Sequence, residues 1–133
     1  MNANLQDWTA AGGRMLLALI FIVSGWGKIG GFASTAGHMA SKGLPAPEFL
    51  LVLTIAIELV GGLMVAAGWK ARWAALAIFL FLIPTTLVFH AFWAVDVAKA
   101  AMDQIQFMKN LSIMGGMLIL VAHGPGKLSV DKG

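Results

Sequence analysis

Six ionisable or amide side chains stand inside, or at the edges of, long apolar stretches: Arg14, Lys28, Glu58, His90, Lys109 and Asn110. A charge at the centre of a membrane-spanning helix costs about 2.5–3.5 kcal/mol on insertion scales, so such groups need a partner or a water-filled cavity. Glu58 is the most exacting of them. It lies mid-run, about three helical turns from Glu48, too deep to reach water by extending its side chain. If the pairs Gly61-Gly62 and Gly115-Gly116 mark equal depth, Glu58 stands level with Ser112. Lys109 and Asn110 then fall within about one turn of it. The expected site is a buried polar cluster of Glu58, Lys109, Asn110 and Arg14, with Ser24 nearby. Glu58 is either paired with Lys109 or neutral, because burial disfavours the charged form. Such a pair can be chemistry or simply bundle glue.

A second group belongs at one mouth of the bundle: Lys28, His90, Thr86, Trp26 and Trp93. His90 closes the stretch PTTLVFHAFW, one turn beyond Thr86, with Pro84 loosening the backbone before it. There it can donate a hydrogen bond or carry a proton at a pocket. The plainer alternative is a capped imidazole at the membrane surface. Phe89 and Phe92, with the two tryptophans, are expected as walls. Arg14, about one turn inside its boundary, is expected to reach lipid phosphate. Lys28 at the other end of the same helix reads as an interfacial anchor, with Glu48 as a partner. The chain has no cysteine, which excludes disulfides and thiol chemistry. No cluster has metal-ligand spacing, and His90 and His123 belong to opposite membrane sides, so neither metal nor bis-histidine haem is expected.

The elements that must hold these residues follow from composition. Of 133 residues, 59% are hydrophobic and 11% charged, against about a quarter charged in an average soluble domain. Too little polar surface remains to coat a water-soluble body, so lipid is the expected solvent. Four apolar runs, 10–29, 47–67, 73–93 and 104–122, are each long enough for a hydrocarbon core of about 30 Å. Backbone amides cannot stay unpaired in lipid, so each run must be helical. The expected fold is an all-α, up-down-up-down bundle of four transmembrane helices. It forms one domain over residues 1–133. Phe32, Ala36, Met39 and Ala40 recur at helical spacing in the first loop and predict a short interfacial helix there.

Punctuation agrees. Gly30-Gly31 ends the first span, Pro47 opens the second, Gly68 closes it, and Gly124-Pro125-Gly126 stops the fourth. The tryptophans fall near span ends, as amphipathic rings at head-group level do. Lys70, Arg72, Lys127 and Lys132 share a side with both termini, which favours cytoplasmic termini. The net charge of +3 is scattered singly, so it suits anionic lipid rather than nucleic acid. RMLLALIF (14–21) resembles RWAALAIF (72–79), a faint internal repeat.

The ordered set of Arg14, IFIVSGWGKIGG, Glu58 with LVGG, FHAFW, KNLSIMGG and the GPGKLSVD tail resembles the DoxX family along nearly the whole chain. The resemblance implies a small inner-membrane protein with four helices, related to the membrane subunit of thiosulfate:quinone oxidoreductase. It implies Arg14, Lys28, Glu58, His90, Lys109 and Asn110 as polar core. The expected function is an accessory or anchoring subunit of a redox-linked membrane assembly, with membrane-protein partners or further copies of itself. The next reading is a quinone-interacting oxidoreductase subunit with quinone as a possible ligand. A small-solute carrier comes third, because Pro84 is the only helix interruption the sequence announces.

Overall fold

Capping and turn residues divide the chain into helices. The computed structural model describes residues 1–133. Helix α1 (Ala3–Gly30) begins at Asn2, whose side chain accepts a hydrogen bond from the Leu5 amide at 2.8 Å. It therefore starts well before residue 10, because capping rather than hydropathy sets its origin. Helix α2 (Phe32–Ser41) is the short helix expected in the first loop, and it buries Ala36 and Met39. Pro47 stands in the first turn of α3 (Pro47–Ile55), where a missing N–H costs nothing.

A π turn, Ala56–Val60, then joins α3 to α4 (Gly61–Ala67). Together they make a second span, Pro47–Ala67. Gly68 ends it with φ 71°, in the left-handed region that favours glycine. Helix α5 (Ala71–Phe89) carries Pro84, and a short 3-10 turn (Phe92–Ala94) leads to α6 (Val97–His123).

Four helical segments are long and apolar enough to cross a membrane, and the fold is an all-helical four-span bundle. α1 packs on the π turn and α4, α4 on α5, and α5 on α6. Ala18, Val65, Ala75, Ile78 and Met117 are fully buried at the centre. Large apolar side chains such as Leu16, Trp73 and Ile119 face outward, as lipid-facing residues do. α1 and α6 touch only sparsely. They meet where Leu17 lies over Gly116, at which a Cβ would come within 3.2 Å of Leu17 Cδ1.

The bundle has two ends. One, the terminal end, carries both termini and the turn at 68–70. The other, the loop end, carries α2 and residues 90–96. At the terminal end the last ten residues fold back over the helices rather than trailing into solvent. The Val130 amide donates to Ala67 O (3.0 Å) and the Asp131 amide to Gly68 O (2.9 Å). The Asp131 carboxylate accepts from the amides of Lys70 (2.8 Å) and Ala71 (2.9 Å), capping α5 from a distance in sequence. Those two bonds, the Ala71 bond foremost, hold the Asp131 carboxyl below its ordinary pKa.

Candidate functional site

Glu58 sits in the π turn, buried, with its side chain only 8% exposed. α1 passes this turn at Gly25, where a Cβ would stand 2.9 Å from the Leu59 amide nitrogen. The missing side chain lets the wider π backbone fit against α1. The same close approach brings Lys28, one turn on, across to Glu58. Lys28 Nζ lies 2.8 Å from Glu58 Oε1 and donates a 2.6 Å hydrogen bond to Ser24 Oγ. The Lys28 ammonium is the only protein partner of that buried oxygen.

The expected Glu58–Lys109 pair is thus replaced by Glu58–Lys28. Lys109 lines the same small cavity as Glu58 without pairing with it. Asn110 points into the bundle and donates to Thr86 Oγ1 at 3.1 Å, which turns Lys109, one residue away on the helix, to the exposed side. Glu48 is exposed and does not pair with Lys28.

Arg14 is buried as well, at 6% exposure, yet it does not join this cluster or reach toward lipid phosphate. It stands at the terminal end. There Nε donates to Ala66 O (3.2 Å), Nη2 to Leu128 O (2.9 Å) and Nη1 to Pro125 O. Three groups of its guanidinium fork hold three carbonyls that the end of α4 and the folded tail leave unpaired. Arg14 is the clasp of the tail.

Two cavities meet at Glu58. The larger, about 410 Å³, extends toward the loop end, with Lys28, Glu58, His38, Phe89, His90 and Asp103 among its walls. The smaller, about 190 Å³, lies between α1 and α6 and includes Ser24, Gln106, Lys109 and Asn110. Lys28, Glu58, Phe81, Thr85 and His90 line both, so they adjoin across these side chains as the two lobes of a chamber. His90 caps α5, where φ of −125° leaves helical geometry. Its ring turns into the chamber, while Thr86, expected on the same face, lines neither lobe and is tied to Asn110. His90 Nδ1 is buried, with Asp103 Oδ1 at 3.9 Å, too far for a hydrogen bond, and has no other protein partner.

The tryptophans expected at the mouth face away. Trp26 is 71% exposed and Trp93 59%. Trp93, Phe92 and Phe107 stack edge to face on one another outside the chamber, so Phe81 and Phe89 form its aromatic walls.

Sequence reasoning missed two ionisable lining residues. His38, in α2, packs its ring 5.6 Å from Phe89. Asp103 shares a helical face with Gln106 and Asn110 at spacings of three and four, a pattern that marks it once α6 is known to begin at Val97. No group of three or more His, Asp or Glu residues is disposed to hold a metal ion.

A family model described as DoxX matches residues 9–91. The chain belongs to the DoxX family. It is 39% identical over 128 residues to the inner membrane protein YqjF of Escherichia coli, covering 96% of this chain and 93% of that one. It is 31% identical over 119 residues to the inner membrane protein YphA of the same organism, covering 90% and 85%. It is also 29% identical over 131 residues to a Surfeit locus protein 4 homolog of Schizosaccharomyces pombe, of which this chain spans 38%. No solved structure matches it. The DoxX match embraces Arg14, Lys28, Glu58 and His90, so clasp and chamber both contain residues of the family's matched region.

Proposed function

We propose that this small DoxX membrane protein is the ligand-binding subunit of a redox-linked inner-membrane assembly, and that its chamber takes a quinone-class head group. The observation that carries this reading is a pair of buried polar groups facing one cavity walled by Phe81 and Phe89: Glu58, whose Oε1 meets only the Lys28 ammonium, and His90, whose Nδ1 has no hydrogen-bond partner. A buried polar atom without a partner costs about 1–3 kcal/mol, so His90 Nδ1, beside a buried ion pair on the same cavity, favours a polar ligand.

The residues fit such a head group. Lys28 supplies a donor to a carbonyl oxygen, Glu58 an acceptor for a ring hydroxyl, and His90 either role according to its tautomer. The phenyl rings present apolar faces to a flat ring. At about 410 Å³ the main lobe falls in the range of about 300–1,000 Å³ usual for small-molecule sites. A bound quinone would supply the two-electron chemistry. This chain would hold and orient it, and Glu58 and His90 would manage protons at their own carboxyl and ring nitrogen. With no cysteine to form a thiol couple, reducing equivalents in this reading come from a partner subunit, as an accessory role requires. The relatives' inner-membrane location and the charge bias toward the terminal end support placing that end in the cytoplasm.

Calorimetric titration of the purified protein with a benzoquinone carrying one isoprene unit tests the reading. Saturable binding is expected, weakened about tenfold or more in Glu58→Gln and in His90→Ala. A folded wild-type protein that does not bind would end this proposal. One observation favours the solute-carrier alternative: the π turn interrupts the second span at a carboxylate, a further break besides Pro84, and interrupted helices recur at transporter sites. Substrate flux in proteoliposomes would decide for it.

A further inference from the structure

The chamber has an apolar annex. A slot of about 220 Å³ runs outward past Leu53, Ile57, Pro84 and Val88. It shares Met39, Thr54, Phe81, Thr85 and Phe89 with the main lobe, so slot and chamber adjoin across these side chains. Its origin lies in the second span. α4 packs closely on α5, but α3, beyond the π turn, does not, so the two helices diverge from the level of Glu58 toward the loop end. α2 packs on α3 through Ala36, Met39 and Leu51 and covers the divergence from the loop side. What remains uncovered is a side opening, with Leu53 and Pro84 exposed at its rim.

Polar groups end where the slot begins: no ionisable side chain lines it, and its only hydroxyls, those of Thr54 and Thr85, are spent on Leu50 O and Phe81 O at 2.9 Å each. A ligand that satisfies Glu58 and His90 while reaching the bilayer through such a gap has a compact polar head and a flexible hydrocarbon tail.

We infer that the site is built for tailed, membrane-borne ligands, whose polyisoprenyl or acyl chain leaves through the α3–α5 slot while the head stays at Glu58 and His90. This rests on the reading of the chamber as a quinone-class site. A tail moving from lipid into the slot changes one apolar surrounding for another, so the slot acts by packing and orientation more than by desolvation. The tail's position is therefore a sharper readout than affinity.

A benzoquinone with a geranyl tail bearing a terminal diazirine is added to the detergent-solubilised protein, photolysed, and its adducts mapped by mass spectrometry. Excess tailless benzoquinone serves as competitor. Adducts at Leu53, Ile57 or Val88 that the competitor removes are expected, and Val88→Trp, which fills the slot, should cut them about fivefold. Leu53→Trp at the exposed rim provides the same block should Val88→Trp fail to fold. Competed adducts along the α1–α6 seam, at Leu17 or Ile113, would overturn the slot and leave the head-group reading standing. Adducts that the tailless competitor never displaces would overturn both.

Discussion

The two buried charged groups of this bundle, Arg14 at the terminal end and Glu58 toward the loop end, meet the same penalty in opposite ways. Arg14 spends Nε, Nη1 and Nη2 on backbone carbonyls of the second span and the tail. Each of its three nitrogens is engaged, and the result is a stapled end. Glu58 has a single ion pair, to Lys28, and His90 Nδ1 beside it is short of a partner. The first arrangement is complete within the protein; in the proposed reading a ligand completes the second. Burial of a charge alone does not separate structure from function in a membrane protein, whereas the tally of satisfied atoms does.

The largest effect should come from the complete end. Arg14→Ala orphans three carbonyls, and at about 1–3 kcal/mol for each buried group left unpaired the loss is expected to reach about 3 kcal/mol. Thermal unfolding in detergent should show it, with early proteolysis after Pro125. Ligand affinity measured where the variant is still folded should change less than about twofold, as for a distant, independent site.

At the chamber the order reverses. Lys28→Met strands a buried carboxylate, and because the lysine side chain is 27% exposed the cost should fall below the about 3–5 kcal/mol of a fully buried broken pair. Glu58→Gln should cost less stability than Lys28→Met, yet lose more ligand binding. Equal losses in both properties for the two variants would mean that the pair is glue.

A smaller effect is expected at the crossing that places them. Gly25→Ala drives a Cβ against the Leu59 backbone and should cost about 1–3 kcal/mol by overpacking, with weakened ligand binding as Lys28 moves away from Glu58.

The smallest effect concerns acid. Asp131, ordinarily near 3.8, is lowered by its bonds to Ala71 and Lys70. A depressed carboxyl contributes stability that is complete above its unfolded value and lost as pH falls through its folded value. Amide exchange at Lys70 and Ala71 should therefore accelerate only below about pH 4, and Asp131→Asn should abolish that acid step.

How much of this was legible beforehand divides along physical lines. The spans, Gly31, Pro47, Gly68 and the short α2 are local: hydropathy and capping announce them. The depth of Glu58 was legible too, since rise per residue is fixed. Its partner was not, because a pairing needs helix rotation, and the rotation of α1 depends on Gly25 meeting a π turn that no local pattern signals. Arg14 was misjudged for a related reason. Its acceptors include carbonyls in a tail whose pairing with Ala67 and Gly68 spans nearly half the chain. The internal repeat misleads at the same point, for its counterpart Arg72 is exposed.

A density map of the protein purified from its own membrane, without added ligand, tests the central claim most directly. It should show a compact ring within hydrogen-bond reach of Glu58 and His90, with a tail passing Pro84 and Val88, while Arg14 stays closed on the tail. A chamber collapsed so that Glu58 and His90 satisfy one another, with acyl density only outside the bundle, would contradict it.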